Sequence, residues 1–337
     1  MDTLHLLEQL IAIDSPTGYT GAACEFIAKT MSDMGFTPRR TAKGAVVVAL
    51  GDAPKLGLAA HTDTLGAIVS GIKANGTLAF SLLGSPLLPV FESAYVRIHT
   101  LEGKVYTGTT LLNDPSAHAN KKASTAERST ETMHIRIDER VSTKDDVKGL
   151  GIRVGDIIAF DPRYQALPNG FIKSHFMDNK AGCYVLFEVA RQVKEQGLNV
   201  PVELFFSNYE EVGHGGTTGY APTLDELLVI DMGVVGEALD GHETLCSICA
   251  KDSGGPYDYG FRKTLTELAE GQDIPHAVDI YPFYSSDGTA AWRAGVDVRV
   301  ALIGPGVAAS HGMERAHVDG IRATVDLSMA YIKHRFS

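Results

Sequence analysis

The sequence is short of several things, and each shortage excludes something. It has one tryptophan, Trp292, and four cysteines, Cys24, Cys183, Cys246 and Cys249, in 337 residues. Four thiols in apolar settings do not make a disulfide framework and suit a reducing cytoplasm. Cys246 and Cys249 form a C-x-x-C, but no second pair completes a zinc site, and "LCSICA" reads as a buried strand. Long apolar runs are missing as well. None approaches the roughly 20 residues that span a bilayer. The opening "MDTLHLLEQLIAI" carries acids and no basic segment, so it reads as an amphipathic helix and not as a secretory signal. Basic residues are outnumbered, 30 Lys and Arg against 41 Asp and Glu, giving a net charge of -11. That balance argues against nucleic acid or an anionic membrane surface as the partner. A single tryptophan argues against the aromatic-lined, two-carboxyl cleft of a glycosidase. No serine lies in a G-x-S-x-G elbow; Ser15 and Ser253 read as turn or cap residues.

What remains is an ordinary globular composition, 44% hydrophobic and 21% charged, long enough for two domains. Helical periodicity covers residues 2–13, and a second helix follows the loop "DSPTG" to about Met34. "AVVVAL" and "KLGLAAH" are short strands parted by a turn. After "HTDTLG" the texture changes to short alternating runs and turns, with a polar stretch at 116–132 that reads as a mobile loop. Helix and strand alternate again from "MDNKAGCYVLFEVARQVKEQG" to a C-terminal helix from about 319. This order predicts an α/β fold, a mixed and mostly parallel sheet sandwiched by helices, with an inserted all-β barrel-like domain. Residues 1–65 and 173–337 form the catalytic α/β domain, and 66–172 form the insertion.

Ligands of open α/β sheets bind beyond the carboxyl ends of the strands. Polar residues there are His61 and Asp63 in "LAAHTD", Glu210 and Glu211 in "FFSNYEE", and Asp231 in "LLVIDMG". Asp178 in "SHFMDNKAG" and His311 in "ASHGMER" stand at loop junctions. Any one alone reads as a cap or turn residue. Together they have the composition of a two-metal hydrolytic site, which needs a bridging carboxylate and further N and O ligands. Histidines and carboxylates without thiolate suit Zn²⁺, Co²⁺ or Mn²⁺. Such a site also needs a carboxylate that carries protons. Two adjacent glutamates at a strand end point different ways, so one can bind metal while the other faces water. Asp63, two residues after His61, is placed to accept the second N–H of that imidazole. His175, His214 and His317 read as loop or contact residues.

"AAHTDTLG", "MDNKAG", "SNYEEVG", "VIDMG" and "ASHGMER" resemble, in order, the metal-site motifs of the dinuclear aminopeptidases of the tetrahedral type, which include glutamyl and deblocking aminopeptidases. The resemblance spans essentially the whole chain and includes the β insertion after the first histidine. It implies that Asp178 bridges two divalent ions, that His61 and Asp231 serve one and Glu211 and His311 the other, and that Glu210 is the general base. Asp287 in "YSSDGTAAW" matches a position near the substrate's amino end. The family cleaves N-terminal bonds of short peptides and assembles into homo-oligomeric shells of twelve subunits. Thr62 stands where the family has a larger apolar residue, Lys180 replaces an arginine, and "EEVG" continues as "HGG". "KDSGGPYDYG", "YPFYSSDG" and "ASHGMERAH" look closest to a divergent branch, in which hydrolases accompany synthesis of a blocked dipeptide osmolyte, N-acetylglutaminylglutamine amide. The alternatives are thus a hydrolase of that osmolyte or a non-catalytic assembly protein on the same fold. The latter would show a broken ligand set, and here all five positions are filled.

Overall fold

A computed structural model describes residues 4–336. The chain divides into two compact units, one running to Asp63 and resuming at Arg163, the other Thr64–Pro162.

The first unit is built on a mixed 12-stranded sheet. Its centre is four parallel strands in the order Val202–Ser207, Leu56–His61, Glu226–Ile230 and Arg299–Ala308. Their sequences are near-continuous apolar runs because both faces are covered. The period of two still decides which face each side chain meets. Leu58, Ala60, Leu204, Phe206, Leu228 and Ile230 enter one core. Ala59, Phe205, Leu227 and Val229 enter the other. Each fully buried Leu or Phe stabilises by about 1.5–3 kcal/mol. The first core is closed by helices Leu4–Ala12, Gly21–Asp33, Met177–Glu195, Tyr259–Gly271 and Val318–Phe336. Antiparallel strands flank the centre, and Cys246–Lys251 pairs with Arg299–Ala308. Cys246 lies in the first core and Cys249 in the second. The C-x-x-C therefore places its thiols on opposite faces of the sheet, both free.

The second unit is a closed barrel of six strands, Gly66–Ile72, Leu78–Leu83, Met133–Ile137, Val105–Leu112, Tyr95–His99 and Ile157–Phe160. Every pairing in it is antiparallel. Closure leaves no free sheet edge. The unit ends at Pro162, earlier than the expected residue 172. Residues 163–172 go with the α/β unit because Phe171–Ser174 pairs with Glu314–His317. The stretch 116–132, expected as a mobile loop, is a run of hydrogen-bonded turns. Arg128 holds it through Glu92 at 2.8 Å and the carbonyl of Ala123 at 3.1 Å.

No helix among the described residues is long and apolar enough to cross a membrane.

Candidate functional site

The register of the central strands brings three chain segments to one level. Ser207 lies opposite His61, and Ile230, just before Asp231, lies opposite Ile303. The fit is close: a Cβ on Gly304 would sit 1.6 Å from the Asp231 carbonyl oxygen. Only glycine lets the two backbones approach this far.

Asp178 comes from the start of helix Met177–Glu195, next to a cis peptide bond to Asn179. The Asn179 side chain fixes this turn. Its amide donates to the Ile230 carbonyl at 2.8 Å and its oxygen accepts from the Gly182 N–H at 3.0 Å. The turn is thereby tied to the strand that delivers Asp231.

The Asp178 carboxylate faces two ways. Its Oδ1 lies 3.0 Å from His61 Nε2, and its Oδ2 lies 3.6 Å from His311 Nε2. Asp231 Oδ2 is 3.8 Å from His61 Nε2, and Glu211 Oε2 is 3.6 Å from His311 Nε2. Two groups result, His61–Asp178–Asp231 and Asp178–Glu211–His311, each with ligand atoms within 4.8 Å of one another. Asp178 belongs to both. Glu210 is in neither group; its Oε2 is 3.7 Å from His61 Nε2.

Charge in this cluster is unbalanced. Burial alone would lower the His61 pKa, but Asp231, Glu210 and Asp178 raise it well above its ordinary value. Burial opposes ionisation of Asp178, yet His61 and His311 hold it below the usual carboxylate range. Burial pushes Asp231 up to about 8. It also raises Glu210 and Glu211 well above normal. Asp231, Glu210 and Glu211 thus favour their protonated forms more than free carboxyls do, the opposite of Asp178. Glu211 Oε1 is buried with no hydrogen-bond partner. A donor set of imidazoles and carboxylates with an orphaned carboxylate oxygen fits a divalent cation.

Two expectations are corrected here. Glu210 and Glu211 are not at a strand end. The strand stops at Ser207, Tyr209 turns with φ 69°, and the pair lies in the 3-10 turn Glu210–Val212. Their divergence comes from that turn, not from strand alternation. Asp63 does not accept the His61 N–H through its carboxylate. His61 Nδ1–H donates to the Asp63 backbone carbonyl at 2.9 Å, and the carboxylate lies 3.7 Å away. The carboxylate instead accepts the N–H groups of Glu210 and Glu211 at 3.1 and 3.3 Å and the Thr17 hydroxyl at 2.6 Å. It holds the double glutamate in place.

Asp287 opens the helix Asp287–Arg293, capped by Ser286. Its carboxylate accepts from the Ser207 hydroxyl and from the Gly216 N–H at 2.7 Å. It anchors the glycine turn after Glu211, where a Cβ on Gly215 would meet this carboxylate at 2.5 Å. His214 stacks on Tyr209 with ring centroids 5.2 Å apart. His175 Nδ1–H donates to the Gly312 carbonyl beside His311 at 2.5 Å. His317 is structural, donating to the Asn169 carbonyl at 2.9 Å and accepting from Asp319 N–H at 3.1 Å.

Sequence reasoning passed over Glu314. It is buried, and its two oxygens accept the backbone N–H of Asp178 and of His311, both at 3.1 Å. It couples two segments of the site. Its spacing, three residues after His311, was the available signal.

A mixed, mostly parallel sheet interrupted in sequence by a closed antiparallel barrel is the fold of the TET aminopeptidases. The TET aminopeptidase of a marine sediment thaumarchaeon superposes with a TM-score of 0.88 at 20% identity, covering 99% of this chain and 97% of that one. Pyrococcus horikoshii TET1, which assembles into a tetrahedron or a large octahedral shell, gives 0.87 at 19% identity over 98% of this chain and 99% of its own. The M42 glutamyl aminopeptidase family model matches residues 44–327, and the chain belongs to that family. YhfE of Bacillus subtilis strain 168, an aminopeptidase by name, is 40% identical over 336 residues, 98% of this chain and 97% of that protein.

Proposed function

We propose that the protein removes N-terminal residues from short peptides in a divalent-metal-dependent hydrolysis. The observation that carries this reading is the Asp178 carboxylate, one oxygen toward His61 and the other toward His311. His61, Asp231 and the shared Asp178 would hold one ion, and Glu211, His311 and Asp178 the other. Zn²⁺, Co²⁺ or Mn²⁺ bound there supplies a Lewis acid for the scissile carbonyl and makes a water more acidic.

The remaining work falls to the side chains. Glu210, outside both ligand groups, takes a proton from the attacking water and gives it to the leaving amine. The His61 Nδ1 hydrogen bond to the Asp63 carbonyl directs Nε2 at the acids. The Asp63 carboxylate orients Glu210 and Glu211 through their N–H groups. Asp287, locked to Ser207 and Gly216, is assigned a place near the substrate's amino end by its motif, where its carboxylate would favour an ammonium.

We further propose a homo-oligomer, a dodecamer in keeping with the TET structures, with the barrel unit serving assembly and substrate access. Four buried free thiols support a reducing, cytoplasmic setting.

The test loads purified protein with Zn²⁺, Co²⁺ or Mn²⁺ in turn. Cleavage of free-amine peptides and N-acetylated dipeptide amides is followed by mass spectrometry, with a chelated control. Stepwise loss of N-terminal residues, abolished by chelator, is expected. Cleavage of blocked dipeptides alone moves the activity to the osmolyte substrate. No cleavage of either, with metal bound, returns the chain to a non-catalytic assembly role.

A further inference from the structure

Glu210 and Glu211 ride on a turn whose two ends are both left-handed, Tyr209 at φ 69° and Gly213 at φ 84°. The Asp63 carboxylate grips its middle through two N–H groups. A single residue from another part of the chain grips both its ends. Lys43 lies in the tight turn between strands Arg39–Arg40 and Val46–Ala49. Thr41 closes that turn. Its N–H donates to the Ala45 carbonyl, its carbonyl accepts the Gly44 N–H, and its hydroxyl accepts the Ala45 N–H, each at 3.0 Å.

From this base Lys43 reaches across the glutamates. Its backbone carbonyl accepts the Asn208 side-chain amide at 2.7 Å, just before the glutamate turn. Its ammonium donates to the His214 carbonyl, just after it. His214 Nδ1 lies 3.3 Å from the same ammonium, and the Thr217 hydroxyl 3.5 Å. Between these two ends Nζ passes over the Tyr209 ring, 5.6 Å from its centroid, within cation–π reach. A lysine left to solvent keeps its ammonium in water; this one is half-buried and turns it onto a carbonyl and a ring face.

The far end of the clip bears on Glu210 itself. A Cβ on Gly215 would fall 2.8 Å from the Glu210 nitrogen and 2.9 Å from its Cα. The chain that follows His214 is therefore packed directly on the Glu210 backbone. Close packing of this kind transmits a displacement instead of absorbing it.

We propose that Lys43 is a positioning residue for the hydrolysis: its ammonium holds the His214 carbonyl, and through it the turn that aims Glu210 at the attacking water. The inference rests on the hydrolytic reading above. Lys43 touches neither the substrate nor a metal ligand's side chain. It sets the direction from which Glu210 takes the water proton, so its removal falls on kcat and spares KM.

The test compares wild type, Lys43→Met and Lys43→Arg as metal-loaded full chains on the free-amine peptide that wild type cleaves fastest. Bound metal is read by elemental analysis and backbone mobility by hydrogen–deuterium exchange. Lys43→Met removes the ammonium and keeps the aliphatic stem. It is expected to lower kcat about 10–100-fold with KM and metal content nearly unchanged, and to speed exchange at residues 209–217 alone. Lys43→Arg, whose guanidinium donates to a carbonyl and stacks on a ring, is expected to recover most of the turnover. Unchanged kcat in Lys43→Met, a loss carried by KM alone, lost metal, unchanged exchange at 209–217, or an arginine variant as slow as the methionine one overturns the proposal. Wild type that cleaves no peptide overturns the hydrolytic reading and this one with it, a result read from the parent enzyme alone.

Discussion

Glu314 accepts the backbone N–H of Asp178 at 3.1 Å across 136 residues of chain. Its other oxygen does the same for His311 at 3.1 Å. One carboxylate therefore sets the position of the shared acid and of a histidine that faces it. Glu314→Ala would strand the buried Asp178 N–H, at about 1–3 kcal/mol, and the partly buried His311 N–H at less. We expect a lower thermal midpoint and divalent-ion affinity weakened about 10–100-fold, read by calorimetric titration. Unchanged affinity would show that the turn around Asp178 is held without Glu314.

Asp63 divides its work between backbone and side chain. The carbonyl fixes His61, and the carboxylate fixes Glu210 and Glu211. Asp63→Asn keeps the first contact and turns an amide NH₂ toward N–H groups in the second. We expect the metal to stay and kcat to fall about 10–100-fold. Loss of metal at equal concentration would count against this division.

Glu210 and Asp178 should separate chemistry from binding. Glu210→Gln is expected to retain its ions, by elemental analysis, while losing about 10²–10⁴ in turnover. Asp178→Ala is expected to lose both metal and activity. An active Glu210→Gln protein would remove Glu210 as the base.

The buried acids give the metal-free chain a signed pH dependence. Asp231 stands near 8 when folded, against about 3.9 for an unfolded aspartate. A raised folded value means that the folded state holds the proton more tightly. Its stabilising effect is complete below the unfolded value and is lost as pH rises through the folded one. Glu210 and Glu211 shift in the same direction. The chelated protein should therefore melt at lower temperature at pH 8 than at pH 5. Zn²⁺, Co²⁺ or Mn²⁺ should restore it most at the higher pH, where ions displace fewer protons. A flat melting profile in chelator would mean that these acids are ionised and otherwise compensated.

Much of this was legible in residue order. The apolar runs before His61 and Asp231 and the helix opened by "MDNKAG" are local patterns, and the structure places them as periodicity predicts. What was not legible depends on distant partners. Nothing near Glu210 reveals that the strand stops at Ser207 and that Asp63 reaches across 147 residues to fix a 3-10 turn. Residues 163–172 resemble the preceding β segments, and only pairing with Glu314–His317 assigns them to the other unit. Hydrogen-bond choice among several nearby acceptors is a tertiary property, which is why Asp63 was placed correctly beside His61 but with the wrong atom.

The close approach at Gly304 bears on how far this protein can be remodelled. Every other side chain begins with the carbon that would fall 1.6 Å from the Asp231 carbonyl. In a saturation library, position 304 is a single-letter column, whatever freedom its neighbours have. A specificity-altering design must leave that seam untouched and work from the loops, where Pro282, Phe283 and Ser285 lie open to solvent.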